Sequence, residues 1–222
     1  MAIKHFYRLF IVLLFVSCQQ KEEQFFIIQG EAQGSTYSIK YIATAEVVSK
    51  TQIDSLLTAF DNSLSTYKPT SLISRINQGD TTIVVDDWFA ATFKASQQIY
   101  KETDGLFDPT IGVLVNAYGF GPNHERKSLN QTQIDSLLNF VGFDKVSLNS
   151  DKTISKKHQE TYFDFNAIAQ GYSVDLVAEF LKTKGIQNGI VEIGGELIGI
   201  GLNTIQNKNW VVGIDDPLQS SE

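Results

Sequence analysis

The stretch DFNAIAQGYSVD, residues 164–175, joins the end of a predicted strand to the start of a predicted helix. Asp164 follows the apolar pair Tyr162 and Phe163, and Asn166 is suited to cap the first helical turn. The inward stripe of the helix is predicted to be Ala167, Gly171, Val174, Ala178 and Leu181.

Gly171 is unusual within that stripe. A glycine inside a helix costs about 1 kcal/mol relative to alanine, so a packed strand or a cofactor is expected close to this backbone. An exposed helix start also attracts phosphate groups. The stretch alone leaves two interpretations open, an ordinary amphipathic helix with a packing glycine and a ligand site.

Other motifs accompany this stretch in a fixed order. They are GSTYSIKY at 34–41, LSTYKPTSLISRIN at 64–77, TDGLFDPTIGVLVNAYGFG at 103–121 and VEIGGE at 191–196. The third is richer in turn-forming residues than a plain connection needs. With these motifs, residues from about 30 to 217 resemble the ApbE family of FAD:protein FMN transferases, which cut FAD and attach its FMN half to a threonine of a partner protein.

The resemblance implies an α+β fold with an ApbE-like, T-fold-like mixed sheet and packed helices over residues 30–222. It also implies a Mg²⁺-dependent enzyme that uses FAD as substrate and releases AMP. The implied partners are acceptor proteins such as the flavin-bearing subunits of membrane redox pumps.

The same resemblance implies positions for the site residues. The family's FAD contacts correspond here to Tyr67, Leu106, Phe107, Asp108 and Asp164, and the backbone carbonyl of Ala167 corresponds to a metal ligand. An aromatic and apolar wall can stack on a flavin or adenine ring, and carboxylates can accept hydrogen bonds from ring or sugar groups. Tyr67 could instead serve packing alone.

The chain departs from the family pattern at two of the expected FAD-binding positions. Gln33 stands where the family often has methionine, and Gln170 stands where it commonly has lysine. A lysine at position 170 would place a cation near the phosphates, so glutamine there either weakens that contact or leaves the metal to supply the charge.

The family pattern also continues, after the point where this sequence ends, with TSGxYR and HxIDPxTG segments and further metal ligands. The resemblance therefore covers the N-terminal part of the family domain. Either a fragment of a longer protein or a natural truncation would account for this.

Residues 1–17 resemble a bacterial lipoprotein signal peptide. Lys4 and Arg8 precede an apolar run at 9–16, which is much shorter than the roughly 20 residues of a membrane-spanning helix. Residues 15–18, FVSC, resemble the lipobox of such a signal, which would place the lipid on Cys18. Cys18 is the only cysteine of the sequence, so an intramolecular disulfide is excluded. The signal and lipobox predict a periplasm-facing membrane lipoprotein whose residues 18–29 form the tether and first strand; an uncleaved anchor is the alternative.

Charge and composition limit the function classes further. The 222 residues are 42% hydrophobic, which is enough for one sizeable core, possibly in two lobes. Removal of residues 1–17 would leave 16 basic against 25 acidic side chains, a formal charge of about −9. Nucleic acid is therefore not an expected partner.

Hydrophobic periodicity and β-branched runs predict the secondary structure. Strands are expected near 25–28, 37–42, 82–85, 145–148, 189–193, 197–200 and 210–214. Helices are expected near 51–60, 88–102, 132–140 and 167–184. The heptapeptide TQIDSLL occurs at 51–57 and again at 132–138, but the flanking residues differ, so we interpret the repeat as coincidence rather than duplication.

Several chemistries lack candidate residues. His124 and His158 do not have the spacing of a zinc site, and no GxSxG motif is present. No residue of this sequence is therefore assigned as a catalytic nucleophile. The acids Asp104, Asp108, Asp164, Glu192 and Glu196 would suit a hard ion such as Mg²⁺, or else serve as turn and surface residues, which is the preferred interpretation for Asp104 and Glu196.

Two alternatives to the transferase remain at this point. One is a lipoprotein that binds a flavin without catalysis. The other is a metal-dependent FAD pyrophosphatase, which would release free FMN rather than transfer it.

Overall fold

The computed structural model describes residues 22–122, 126 and 128–214. The predicted signal peptide, Cys18 and His124 lie outside these residues. The elements, in chain order, are β1 (Gln24–Ala32), β2 (Ser35–Ala43), α1 (Lys50–Leu64), α2 (Leu72–Asn77), α3 (Asp87–Glu102), α4 (Gly112–Ala117), α5 (Gln131–Leu138), a 3₁₀ turn (Phe143–Lys145), β3 (Val146–Leu148), β4 (Ile154–Lys156), α6 (Asn166–Thr183), β5 (Gly189–Ile193) and β6 (Glu196–Ile200). This confirms the α+β class.

The main sheet has the strand order β1-β2-β5-β6, and each strand is antiparallel to its neighbour. A two-residue loop, Gln33 and Gly34, joins β1 to β2, and both residues have positive φ, 55° and 74°. Such hairpin loops favour positive φ at both central positions. Glycine adopts this conformation freely, whereas glutamine rarely does, so the hairpin holds Gln33 in an unusual backbone conformation at its tip.

The first core lies between one face of this sheet and helices α1 and α6. On the sheet side, Ile39 and Val191 are fully buried, and Val177 and Leu181 of α6 meet them without solvent exposure. Burying one such side chain stabilises a protein by roughly 1.5–3 kcal/mol. This apolar contact therefore holds the long helix α6 against the sheet.

The second core is built largely from aromatic rings. Phe89 of α3 contacts Phe163 and Phe165 edge to face, with ring centroids 6.2 Å and 5.3 Å away. Helix α1 contributes Ile53 and Leu57 to the first core and Phe60 and Leu64 to the second. The two cores are thus joined through a continuous helix.

The four predicted helices are confirmed, with boundaries shifted by up to four residues. The predicted strand at 82–85 is wrong, because these residues pair with no strand in the described part of the chain; Ile83 and Val85 are instead buried in the second core. The predicted strand at 210–214 is also wrong within the described residues. There the Trp210 indole donates to the carbonyl of Ile200 at 3.0 Å, so a side chain rather than a backbone ladder satisfies the strand end.

Four short elements were not predicted, namely α2, α4, β4 and the 3₁₀ turn. Across the described residues, no helix has the length and apolar character needed to cross a membrane.

Candidate functional site

A cavity of about 670 Å³ opens where three parts of the chain meet: the β1–β2 turn, the end of α1 with the segment after it, and the start of α6. Its lining residues are Gln33, Gly34, Phe60, Asp61, Leu64, Ser65, Tyr67, Lys68, Asn166, Ala169 and Gln170. Three of the predicted FAD-binding residues, Gln33, Tyr67 and Gln170, therefore share one cavity. We call it the hairpin cavity.

Tyr67 lines this cavity with half of its surface exposed. Its hydroxyl donates to the backbone carbonyl of Phe120 at 3.1 Å, which links the segment after α4 to the cavity. Phe60 also borders the cavity, but its ring is buried in the second core. Tyr67 is therefore the exposed ring of the lining on which a flavin or adenine ring can stack.

The Gln170 side chain is held by the turn between β5 and β6. Its amide nitrogen donates to the carbonyls of Ile193 and Gly194, at 3.1 Å and 2.9 Å. A Cβ at position 194 would lie 2.4 Å from that nitrogen, and Gly194 also has a φ of 56°, so a side chain there would displace the Gln170 amide and strain the backbone. Gly194 of the VEIGGE motif thus allows Gln170 to approach the turn.

Asp164 lies two residues before the start of the cavity-lining helix α6. Its Oδ1 accepts a hydrogen bond from the Asn166 N–H at 2.9 Å, and its own N–H donates to the carbonyl of Pro109 at 2.8 Å. Burial raises the pKa of the Asp164 carboxyl, and the hydrogen bond from Asn166 opposes that shift. The prediction that Asn166 caps α6 is wrong, because Phe165 occupies the cap position without a side-chain bond and Asp164 binds the first turn instead.

Ala167 lies on a second cavity of about 470 Å³, between α3 and α6. We call it the α3–α6 cavity; it is lined by Ala91, Thr92, Ala95, Ala167, Ile168, Gly171, Tyr172, Asp175 and Glu196. The predicted inward stripe is wrong for Ala167, which is exposed, and for Gly171, which is half-buried, whereas Val174, Ala178 and Leu181 are buried as predicted. Helix α6 instead turns Ala169, Ser173 and Val177 inward.

In the described part of the chain, only a side-chain atom of strand β6 comes near Gly171. The nearest atom that a Cβ there would meet is Glu196 Oε2, at 3.9 Å. Glu196 is exposed, and it lines the α3–α6 cavity rather than only the surface. The space beside Gly171 therefore remains open to a ligand.

Leu106, Phe107 and Asp108 lie in the loop between α3 and α4 and line neither cavity. Leu106 is 94% exposed. Asp108 Oδ1 accepts from the N–H and the hydroxyl of Thr110, at 2.8 Å and 2.6 Å, so this carboxylate shapes its own loop. The remaining acids also serve turns: Glu192 accepts from the Gly195 N–H at 2.6 Å, and Asp104 is an exposed turn residue with a φ of 51°.

One residue missed by the sequence analysis connects these motifs. Asn77, at the end of α2, donates to the carbonyl of Phe163 at 2.9 Å and accepts from its N–H at 2.8 Å. The Gly112 N–H donates to the carbonyl of Tyr162 at 3.2 Å. The 64–77, 103–121 and 164–175 motifs are therefore joined by hydrogen bonds immediately before Asp164.

Asp61, Ser65 and Lys68 are polar lining residues that the sequence analysis did not select, and Asn166 was expected only to cap α6. Asp61 and Lys68 flank the STY segment of the 64–77 motif, but each alone is indistinguishable from a surface residue. Burial raises the pKa of the Asp61 carboxyl, while the charge of Lys68 and a hydrogen bond from Gln33 lower it. The hairpin cavity thus contains a carboxylate and an ammonium group as well as its amides and rings.

Comparison with known proteins places this geometry in a family. A family model described as the ApbE family matches residues 33–222. The chain is 34% identical to the FAD:protein FMN transferase of Haemophilus influenzae over 96% of its length, and 33% identical to that of Vibrio cholerae over 93%. It spans 64% and 63% of those two relatives, which is less than two thirds of their length.

Solved structures agree with the sequence relatives. The flavin transferase ApbE from Vibrio cholerae superposes with a TM-score of 0.81 and 32% identity, covering 88% of this chain and 65% of that one. The apo form of the flavinyl transferase ApbE of Pseudomonas stutzeri superposes with a TM-score of 0.75 and 30% identity, covering 81% of this chain and 60% of that one. The chain belongs to the ApbE family.

Proposed function

We propose that the protein of which this chain is all or part transfers the FMN moiety of FAD to a threonine hydroxyl of an acceptor protein and releases AMP. The observation that carries the proposal is the hairpin cavity, which gathers Gln33, Tyr67 and Gln170 in a chain similar to named FAD:protein FMN transferases. Its volume of about 670 Å³ lies within the range of about 300–1,000 Å³ that is usual for ligand pockets.

The lining of the hairpin cavity suits a flavin dinucleotide in three respects. Tyr67 offers aromatic surface for a ring, and Lys68 offers a cation for a phosphate. Asn166 offers amide groups at the start of α6, where a helix favours negative charge. Leu106 and Phe107, in the loop between α3 and α4, are proposed to contact the ligand from outside the cavity.

Mg²⁺ is proposed as the metal, with Ala167 providing a backbone carbonyl ligand. The α3–α6 cavity combines Ala167 with the carboxylates of Asp175 and Glu196, and oxygen ligands are those that Mg²⁺ prefers. Among the described residues, no three His, Cys, Asp or Glu side chains gather as a metal-binding group. The Ala167 carbonyl and the carboxylates of Asp175 and Glu196 would suit Mg²⁺, because this ion commonly keeps several waters and binds substrate phosphates alongside one or two carboxylates.

The transfer replaces the phosphoanhydride link of FAD with a phosphoester link to threonine. The threonine oxygen bonds to the FMN phosphorus as the bond from that phosphorus to the bridging pyrophosphate oxygen breaks. AMP leaves with that oxygen, and the hydroxyl proton passes to the departing phosphate or to solvent. Bound Mg²⁺ would neutralise the negative charge that develops on the phosphate oxygens. The residues of this chain bind and orient the dinucleotide, which is where most of the catalysis in phosphoryl transfer lies.

The decisive experiment mixes the protein, expressed from its complete reading frame, with FAD, Mg²⁺ and an acceptor protein. We expect flavin that stays on the acceptor after denaturation, with AMP released in equal amount, and we expect both to disappear with EDTA or with the acceptor threonine changed to alanine. Free FMN with AMP would indicate a pyrophosphatase instead. Bound FAD with no AMP would indicate a flavin-binding protein without catalysis.

We further propose that the protein is a membrane lipoprotein anchored through Cys18 and facing the periplasm, with flavin-bearing subunits of membrane redox pumps as acceptors. The support is the basic and apolar pattern of residues 1–17 followed by a single cysteine. Cys18→Ser is expected to move the protein from the membrane fraction to the soluble fraction or to leave its signal uncleaved. Unchanged lipid labelling in that variant would contradict the proposal.

A further inference from the structure

Asp61 lies where the hairpin cavity meets a second groove. It lines the hairpin cavity and also a groove of about 410 Å³ bounded by Gly30, Glu31, Ala32, Lys50, Asp54, Leu57 and Thr58. Its side chain is half-buried, in contrast to the exposed carboxylates typical of a helix surface. A carboxylate in this setting requires partners to remain stable.

The first partner is Gln33, whose position is set by the hairpin turn. Its Oε1 lies 3.1 Å from Ser173 Oγ, a hydroxyl that also contacts the carbonyl of Gln170 at 2.6 Å. With Oε1 directed at Ser173, the amide nitrogen is available as a donor on the cavity that Asp61 also lines, and hydrogen bonding from Gln33 lowers the pKa of the Asp61 carboxyl. Gln33 thereby lies between α6 and the Asp61 carboxylate of α1.

The second partner is Lys68, whose charge acts on Asp61 from the segment after α1. The other nearby cation, Lys50, is bound to Asp54 at 2.7 Å. Glu31 and Asp54 add negative charge on the groove side of Asp61. Lys68 is therefore the group that offsets the Asp61 charge within the hairpin cavity.

A ligand that fills this cavity meets the Asp61 carboxylate, which can accept more hydrogen bonds than the Gln33 amide donates. A phosphate would be repelled by that carboxylate, whereas a ring N–H or a sugar hydroxyl could donate to it. Lys68 lines the same cavity, and its ammonium group attracts a phosphate. The two charges thus distinguish an uncharged donor end of a ligand from its phosphate end.

We propose that Asp61 is a recognition residue of the flavin dinucleotide site, accepting a hydrogen bond from an uncharged N–H or O–H group of the ligand while Gln33 orients its carboxylate. The inference rests on the proposed function and deepens it. Gln33 acts as a positioning residue because its amide acts on the ligand through Asp61.

Asp61→Asn tests the contact with little change in size. An amide carries no charge and replaces one acceptor oxygen by an NH₂ donor, so a ligand donor that faces the NH₂ loses its partner, and one that faces the oxygen loses the charge-assisted bond. We expect the dissociation constant for FAD, measured by flavin fluorescence, to rise by about tenfold or more, as for loss of a hydrogen bond to a charged group. The matched control, Asp135→Asn on the exposed face of α5, is expected to bind FAD as the unchanged protein does.

Gln33→Met keeps the length of the side chain and removes its amide. We expect it to weaken FAD binding by about threefold or more, and to have no further effect when Asp61→Asn is already present, since residues that act through one another are not additive. Additive losses in the double variant would assign Gln33 a role of its own and overturn the positioning claim. Gln33→Met also tests the proposal if Asp61→Asn does not fold.

The outcomes separate this inference from the proposed function. Covalent transfer of FMN together with unchanged FAD affinity in Asp61→Asn would overturn the role of Asp61 and leave the transferase proposal standing. Failure of the unchanged protein to bind FAD would overturn both. Repeating the comparison with FMN and with ADP identifies the donor, because Asp61→Asn should weaken binding of the half that carries it.

Discussion

At the scale of single residues, a few polar side chains hold backbone segments in place next to the cavities. Asn77 is the clearest of them, because one amide bonds both the N–H and the carbonyl of Phe163. Phe163 is fully buried, so neither backbone group can turn to water if that amide is lost. These two hydrogen bonds also fix the position of Asp164, the next residue in the chain.

Asn77→Ala is therefore expected to lower the free energy of unfolding by about 2–4 kcal/mol, since each unsatisfied buried polar group costs about 1–3 kcal/mol. Chemical denaturation measures the loss. Asn62→Ala, on the exposed part of α1, is the control and should leave stability nearly unchanged or slightly raised. Equal stability of the two variants would contradict the role given to Asn77.

The raised pKa of Asp164 predicts a pH dependence of stability. The folded protein holds the proton on this carboxyl more tightly than the unfolded chain, whose value is near 3.8, so stability should fall as pH rises from there through the folded pKa. Asp164→Asn cannot ionise but still accepts the Asn166 N–H. The stability of this variant relative to the unchanged protein should increase across that interval in denaturation curves measured at several pH values. A difference that is constant with pH would refute the assignment.

At the scale of elements, the repeated heptapeptide TQIDSLL shows what local sequence does and does not determine. Both copies begin helices with a capping box, in which Ser49 pairs with Gln52 and Asn130 pairs with Gln133. The first copy, in α1, buries Ile53 and Leu57, whereas α5 has no fully buried residue. The flanking residues decide the packing, which favours coincidence over duplication.

The caps of these two helices should therefore behave differently. Loss of a cap costs about 1 kcal/mol, so Ser49→Ala should lower global stability by about that amount because α1 is part of both cores. Asn130→Ala should mainly speed amide exchange within α5, which opens locally. Hydrogen exchange combined with denaturation distinguishes the two, and a global loss from Asn130→Ala would contradict this view.

Local sequence patterns predicted the periodic helices but not the contacts between distant segments. Helices with strong periodicity were predicted because their apolar stripes repeat along the chain. The segment around Ile83 and Val85 alternates like a strand, yet its side chains pack into the second core and the Val85 N–H donates to the carbonyl of Lys152, contacts with distant segments that no local pattern reveals. Similarly, the motifs pointed to Tyr67 and Gln170, but Asp61 and Asn77 became visible only through contacts between distant segments.

At the scale of the whole molecule, α1 and α6 connect a sheet core and an aromatic core. The two tryptophans of the chain report on different regions, since Trp88 contacts Phe60 in the aromatic core and Trp210 contacts Phe25 at the sheet. With each tryptophan in turn changed to phenylalanine, we expect fluorescence from the other to report the same unfolding midpoint. Two separate midpoints would show that the shared helices do not make unfolding cooperative.

The hairpin cavity is also a property of the whole fold, because it needs the β1–β2 turn, the end of α1 and the start of α6 together. The measurement that tests the central claim most directly is the mass of an acceptor protein after incubation with the full protein, FAD and Mg²⁺. The account predicts an increase equal to one FMN phosphoester on a threonine, with one AMP released per modified acceptor. An acceptor of unchanged mass, with FAD intact and no AMP, would contradict it.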